Sequence, residues 1–158
     1  LANARRIEVF ATGSAALAAQ DAQHKLGRLG LAALARTDAQ QQNLTSIYLG
    51  AEDVLLVLSN SGELDSINEA VARARHAGTA VIAVCPQRSE LARLADTVLP
   101  VDHPDDVQAL VPMVSRLMQT VMIDALVSDL ALQRRPLIHR ALAHQDDQRF
   151  DALSSHSR

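Results

Sequence analysis

The stretch that most constrains the fold is residues 54–65, VLLVLSNSGELD. Five apolar residues stop abruptly at Ser59, Asn60, Ser61 and Gly62, and a helical pattern starts near Glu63. A short branched-apolar run closed by small polar residues reads as a fully buried strand of a parallel sheet. The turn then brings two hydroxyls and several backbone N–H groups to the mouth of the next helix. A helix N-terminus carries unpaired N–H groups and the positive end of the macrodipole, so it suits an anion. Gly62 lets the backbone approach what it binds. Ser, Asn and Gly are also ordinary cap and turn residues, so the turn alone leaves a purely structural reading open.

A second such turn occurs earlier. Arg5 and Arg6 lead into Ile7-Glu8-Val9-Phe10-Ala11, which stops at Thr12-Gly13-Ser14-Ala15. A helix follows, with Leu17, Leu26 and Leu29 at its apolar positions and Gly30 as its stop. Residues 31–36 read as a weaker second strand, Asp38 as the cap of a glutamine-rich helix over 39–49, and Gly50 as its end. The helix after the opening stretch spans 63–76, with Ile67, Ala70, Val71 and Ala74 at helical spacing. Residues 80–85 form a fourth strand, 89–95 a short helix and 97–101 a fifth strand; Pro100 points to a sheet edge. A polar loop with Pro104 follows. The longest helical pattern runs over 107–132, kinked or started by Pro112, and is apolar on more than one face. Such a helix packs on more than its own sheet; it reads in part as a subunit interface, and a central helix within one chain would give the same pattern. Pro136 starts a further short helical piece, and the polar residues from Gln145 read as a frayed tail.

Strands alternating with helices give a three-layer α/β fold with a doubly wound five-stranded parallel sheet. In the flavodoxin-like order 2-1-3-4-5, ligands sit where the order reverses, at the C-terminal ends of strands 1 and 3. Both Gly–Ser turns follow those two strands. Gly13 and Ser14 are therefore expected to face Ser59, Asn60, Ser61 and Gly62 across one anion-binding crevice.

Composition narrows the function classes. The 158 residues suit one domain, read as 1–145, with 146–158 as a polar tail. A net charge of −3 argues against nucleic-acid binding by this domain itself, and 2% aromatic residues argue against base stacking. Cys85 is the lone cysteine, cannot form an internal disulfide and reads as a small core residue of a cytoplasmic protein. No metal-ligand spacing occurs, and no cofactor is expected. No stretch is apolar for long enough to span a bilayer. A start at Leu1, not Met, reads as a piece of a longer protein.

These residues resemble the sugar isomerase (SIS) domain family, through Gly13-Ser14-Ala15 and Ser59-Asn60-Ser61-Gly62-Glu63, over about residues 5–130. More narrowly, Asp21-Ala22-Gln23-His24-Lys25 with Arg28, and Pro112-Met113-Val114-Ser115-Arg116 with Asp124, resemble the effector domain of RpiR/HexR-type transcription regulators. The resemblance implies a ligand-sensing domain without turnover. It would bind a phosphorylated sugar or sugar acid, with 2-keto-3-deoxy-6-phosphogluconate as first candidate. It would act through a homodimer or higher oligomer on a helix-turn-helix domain N-terminal to this chain. It also implies that Ser14, Ser59 and Ser61 hydrogen-bond the phosphate, with N–H groups around Gly62 and Glu63. The family's turn often reads Ser-x-Ser/Thr-Gly-x-Thr; the last position here is Leu64, so one hydroxyl is lost, with Ser66 two residues on.

Lys25 and Arg28, one turn apart after Ser14, are candidates for added positive charge, against a solvated helix face. Arg116, amid apolar neighbours, should pair with a carboxylate or contact ligand. The alternative activity is an aldose–ketose isomerase, which needs a base near the crevice. Glu63 is the candidate, with His24 from a neighbouring subunit. Rossmann-type nucleotide binding fits less well, since Gly13-Ser14 lacks the full glycine fingerprint and only Asp38 ends the second strand.

Overall fold

The computed structural model describes the backbone over residues 1–102 and 113–155, and side chains over 1–102 and 114–135. The elements run β1 (Ile7–Phe10), α1 (Ala15–Arg28), β2 (Ala33–Arg36), α2 (Ala39–Ile47), β3 (Val54–Leu58), α3 (Asp65–His76), β4 (Ala80–Cys85), α4 (Glu90–Leu94), β5 (Thr97–Pro100) and α5 (Met113–Ser155). The sheet is parallel throughout, in the order β2-β1-β3-β4-β5. This is the expected flavodoxin-like order. Val54 pairs with Ile7 on one side and Ala80 on the other, so β3 is central and buried along its whole length.

Alternation along β3 divides the core into two layers. Leu56 and Leu58 join Ile7, Val9, α1 and α5, with Ile123 and Leu130 from the last helix. Leu55 and Val57 join Phe10, Ile67, Val71 and Leu91 on the α3–α4 side. The helix α1 meets the sheet through Ala15, Ala18, Ala19 and Ala22, then Leu26. Leu17, expected in the core, is 54% exposed. Alanines let the helix backbone lie close to the strands, and that face leaves Leu17 outside.

Several boundaries moved. β2 starts at Ala33 and α2 ends at Ile47, before Leu49. α3 begins at Asp65 because Leu64 is extended, at φ −81° and ψ 110°. Pro100 closes the edge strand β5, as its missing N–H suggests. At the other edge, the Ala35 N–H donates to Gln23 Oε1 at 2.6 Å. α5 is continuous from Met113 to Ser155, so Pro136 opens no separate helix and the helix runs into the stretch read as a frayed tail. Pro104, Pro112, Leu110 and Val111 lie outside the described residues. Of the apolar positions expected on α5, Ile123 is buried, while Val114, Leu117 and Val121 are exposed.

The end of the sheet opposite the two Gly–Ser turns is tied by charge. Arg5 donates to both oxygens of Asp53, at 3.0 and 2.8 Å, and Arg6 Nε lies 3.3 Å from the same carboxylate. Burial pushes the Asp53 carboxyl up, but the hydrogen bonds from Arg5 and the Gly50 amide, with the charges of Arg6 and Arg5, leave it below its ordinary value. Among the described residues, no helix is long and apolar enough to cross a membrane.

Candidate functional site

The order reverses between β1 and β3, and the turns after these strands bound a crevice of about 310 Å³. Gly13, Ser14, Ser59, Asn60, Ser61 and Leu64 line it. Gly13 and Gly62 both adopt positive φ, 58° and 68°, which bends each chain sharply out of its strand.

The β3–α3 turn is held from inside. Ser59 is buried, and its Oγ accepts from the Gly62 N–H at 2.9 Å. The exposed Ser61 takes the Glu63 N–H at 3.3 Å. The Gly62 carbonyl accepts from the Leu91 N–H at 3.0 Å and from Asn68 Nδ2 at 3.2 Å. Ser59 therefore shapes the turn as well as lining it, and the turn is joined to the start of α4. A Cβ on Gly62 would lie 2.3 Å from Ser89 Oγ.

The helix caps separate the crevice from the rest of the sheet end. Asp38 caps α2 through the Gln41 N–H, and Ser89 caps α4 through the Ala92 N–H. Neither α1 nor α3, the two helices that leave the crevice turns, has a side-chain cap. Ser14 stands at the N-cap of α1, yet its Oγ accepts from Asn60 Nδ2 across the crevice at 2.8 Å. Asn60 Oδ1 in turn accepts from Gln119 Nε2 at 3.0 Å. Gln119, fully buried on α5, is the site-linked residue that sequence reasoning missed. The available signal was an amide four residues after Ser115, set among Leu117, Met118, Val121 and Met122, the spacing of one helix face.

The other expected residues lie apart or are engaged. At about 1.5 Å per residue, Lys25 and Arg28 stand roughly 16 and 21 Å along α1 from Ser14, so α1 does not bring them to this crevice. Lys25 Nζ donates to Asp21 at 2.6 Å and to Asp124 of α5. Hydrogen bonds to Asp124 and Asp21 hold its pKa above the ordinary value. Arg28 and His24 are exposed. Glu63, the candidate base, accepts the Glu90 N–H on Oε1 at 3.0 Å. Leu64, 44% exposed, lines the crevice with an apolar side chain, and Ser66 is exposed on α3. Cys85 is buried, with Ser89 Oγ 3.4 Å from its sulfur, and burial pushes its thiol pKa up.

A family model for the SIS domain matches residues 1–129. The chain belongs to the SIS-domain family. This SIS domain is 35% identical over 134 residues to the bifunctional protein glk of Burkholderia thailandensis, covering 85% of this chain and 21% of that protein. It is 33% identical over 134 residues to HexR, an HTH-type transcriptional regulator of Pseudomonas aeruginosa, covering 85% of this chain and 47% of that one. The chain thus spans between about a fifth and about half the length of these curated relatives. Among solved structures, it superposes on the Vibrio vulnificus NanR protein complexed with ManNAc-6P, with a TM-score of 0.80 at 18% identity. That match covers 92% of this chain and 56% of the other, and at this identity it shows a shared fold. The resemblance read from the two Gly–Ser turns and from the HexR-like segments therefore holds.

Proposed function

We propose that this SIS domain is the effector-binding domain of a transcription regulator, with the crevice between Gly13-Ser14 and Ser59-Asn60-Ser61-Gly62-Glu63 as the seat of a phosphorylated sugar or sugar acid. The observation that carries the reading is the cap pattern. The helices that leave the crevice turns, α1 and α3, lack side-chain caps, while α2 and α4 have them. An uncapped helix start keeps orphan N–H groups and a positive dipole end for an external anion. The hydroxyls of Ser14, Ser59 and Ser61 stand around the same space. Similarity to HexR over most of the chain supports the regulator over an isomerase, as does the engagement of Glu63 with the Glu90 amide.

In this reading, binding biases a cytoplasmic homodimer between two arrangements, and a helix-turn-helix domain elsewhere in the protein contacts DNA. The coupling needs only differential ligand affinity for the two arrangements. The NanR complex with ManNAc-6P, which shares this fold, supports a phosphosugar as the ligand class. Lys25 and Arg28, distant from their own crevice, fit this scheme only as residues offered to a neighbouring subunit.

A thermal-shift screen against phosphorylated sugars and sugar acids tests it, starting with 2-keto-3-deoxy-6-phosphogluconate. A ligand at one hundred times its Kd stabilises the folded state by about 2.7 kcal/mol. The expected result is protection by at least one compound, reduced in Ser61→Ala, with the compound recovered unchanged. Conversion of the compound to an isomer would establish the enzyme instead. No protection by any phosphorylated compound would overturn the reading. Ser61 is the better probe than Ser59, because Ser59 is buried and accepts the Gly62 N–H at 2.9 Å, whereas Ser61 is exposed and its bond to the Glu63 N–H is longer, at 3.3 Å.

A further inference from the structure

The chain of hydrogen bonds that runs from α5 to the crevice has a direction. Gln119 Nε2 donates to Asn60 Oδ1, and Asn60 Nδ2 donates to Ser14 Oγ. A serine oxygen that accepts one bond still carries its own proton. At an N-cap, the Ser side chain ordinarily accepts from the first helical turn, and here it makes no such bond. The Ser14 hydroxyl is therefore occupied as an acceptor by Asn60, and both residues line the crevice. Gln119 is 0% exposed, and its Oε1 has no hydrogen-bond partner among the described residues. Burying an amide with half its capacity unmet is costly, and an apolar residue would fill the same space without that cost. A polar side chain at this point of the core needs a reason outside packing.

We propose that Gln119 is a positioning residue for the anion: by donating to Asn60 it orients the Asn60 amide, which keeps the Ser14 O–H pointing into the crevice as a donor. This rests on the phosphate reading of the crevice and adds a residue of α5 to it. Rotation of the Asn60 amide would present its oxygen to Ser14. The Ser14 proton would then be spent inside the protein and lost to an anion. With Gln119 Nε2 facing Asn60 as a donor, that rotation would set two amide N–H groups against each other. The direction of the chain thus converts a buried residue on α5 into one donor at the ligand, and it ties the state of the ligand to the placement of that helix.

A double-mutant cycle with inorganic phosphate as probe tests the proposal, with binding followed by the NMR shift of the Gly62 amide. Gln119→Met keeps the length and removes the donor; Gln119→Leu serves if the methionine variant does not fold. Ser14→Ala removes the hydroxyl itself and is expected to weaken phosphate binding about tenfold, the scale of one hydrogen bond to a charged group. Gln119→Met is expected to weaken it by up to the same factor in the wild-type background. In the Ser14→Ala background it should change affinity by less than about twofold, because residues acting through one bond do not add. Equal losses in both backgrounds would make Gln119 a packing residue and overturn the proposal. So would an unchanged affinity in Gln119→Met while Ser14→Ala weakens binding, and so would an unchanged affinity in Ser14→Ala while the Gly62 amide still responds. In those cases the phosphate reading survives. If phosphate shifts no crevice amide in the wild-type protein, both fail together.

Discussion

Gly62→Ala separates two costs that are usually mixed. The backbone there has φ 68°, and an added Cβ would sit 2.3 Å from Ser89 Oγ and 2.4 Å from Ser89 Cβ. Ser89 cannot easily step aside. It is buried, donates to the Pro86 carbonyl at 2.8 Å, and accepts the Ala92 N–H at 3.2 Å as the cap of α4. The left-handed backbone alone costs an L-residue about 1–2 kcal/mol. Overpacking adds roughly 1–3 kcal/mol. If Ser89 yields instead, the lost cap costs about 1 kcal/mol. Gly13→Ala is the control, since its φ is 58° but a Cβ there meets nothing within 4 Å. We expect Gly13→Ala to lose about 1–2 kcal/mol and Gly62→Ala about 2–5 kcal/mol. For a chain of this size each kcal/mol lowers Tm by about 2–4 °C. Differential scanning calorimetry of both variants reads the difference directly. Equal Tm losses would refute the argument, because the clash would then have no energetic consequence.

Asp53→Asn should flatten the acid side of the stability profile. The folded-state pKa of Asp53 lies below its unfolded value of about 3.9, so its stabilisation is present above that value and vanishes as pH falls through the folded pKa. Urea midpoints at pH 7 and pH 3 should therefore differ less in the variant than in the wild type. Asp124→Asn should cost under about 1 kcal/mol, because its pair with Lys25 is solvent-exposed and Asp21 remains as partner. The loss should shrink further in high salt. Cys85 should resist iodoacetamide in the folded state and react on unfolding, since burial disfavours its thiolate; labelling followed by mass spectrometry checks this.

The sheet was legible because β1, β3 and β4 are largely apolar runs closed by turn residues, with β3 the plainest, and the weaker β2 falls between two helical patterns. The crevice followed from placing two similar turns at the reversal of strand order. Helix faces were less legible. Leucine outranks alanine in hydrophobicity, so Leu17 reads from sequence as an apolar position of α1 beside Leu26, whereas the close approach to the strands selected alanine and left Leu17 outside. The start of α3 was misplaced by two residues because Glu63 is a good first-turn residue, yet here its carboxylate reaches across to the Glu90 amide. Gln119 carries no periodic signal of its own among the glutamines of α5; its meaning depends on Asn60, 59 positions away.

The two outer strands also bear on what the molecule avoids. An open sheet offers its rim as a template for another chain. Here Gln23 occupies the Ala35 amide on one rim, and Pro100 has no amide to offer on the other. Strand-by-strand growth, the route to fibrils and to swapped sheets, is obstructed at both ends. Contacts through the helical faces, by contrast, are made by side chains and can be weakened or strengthened residue by residue.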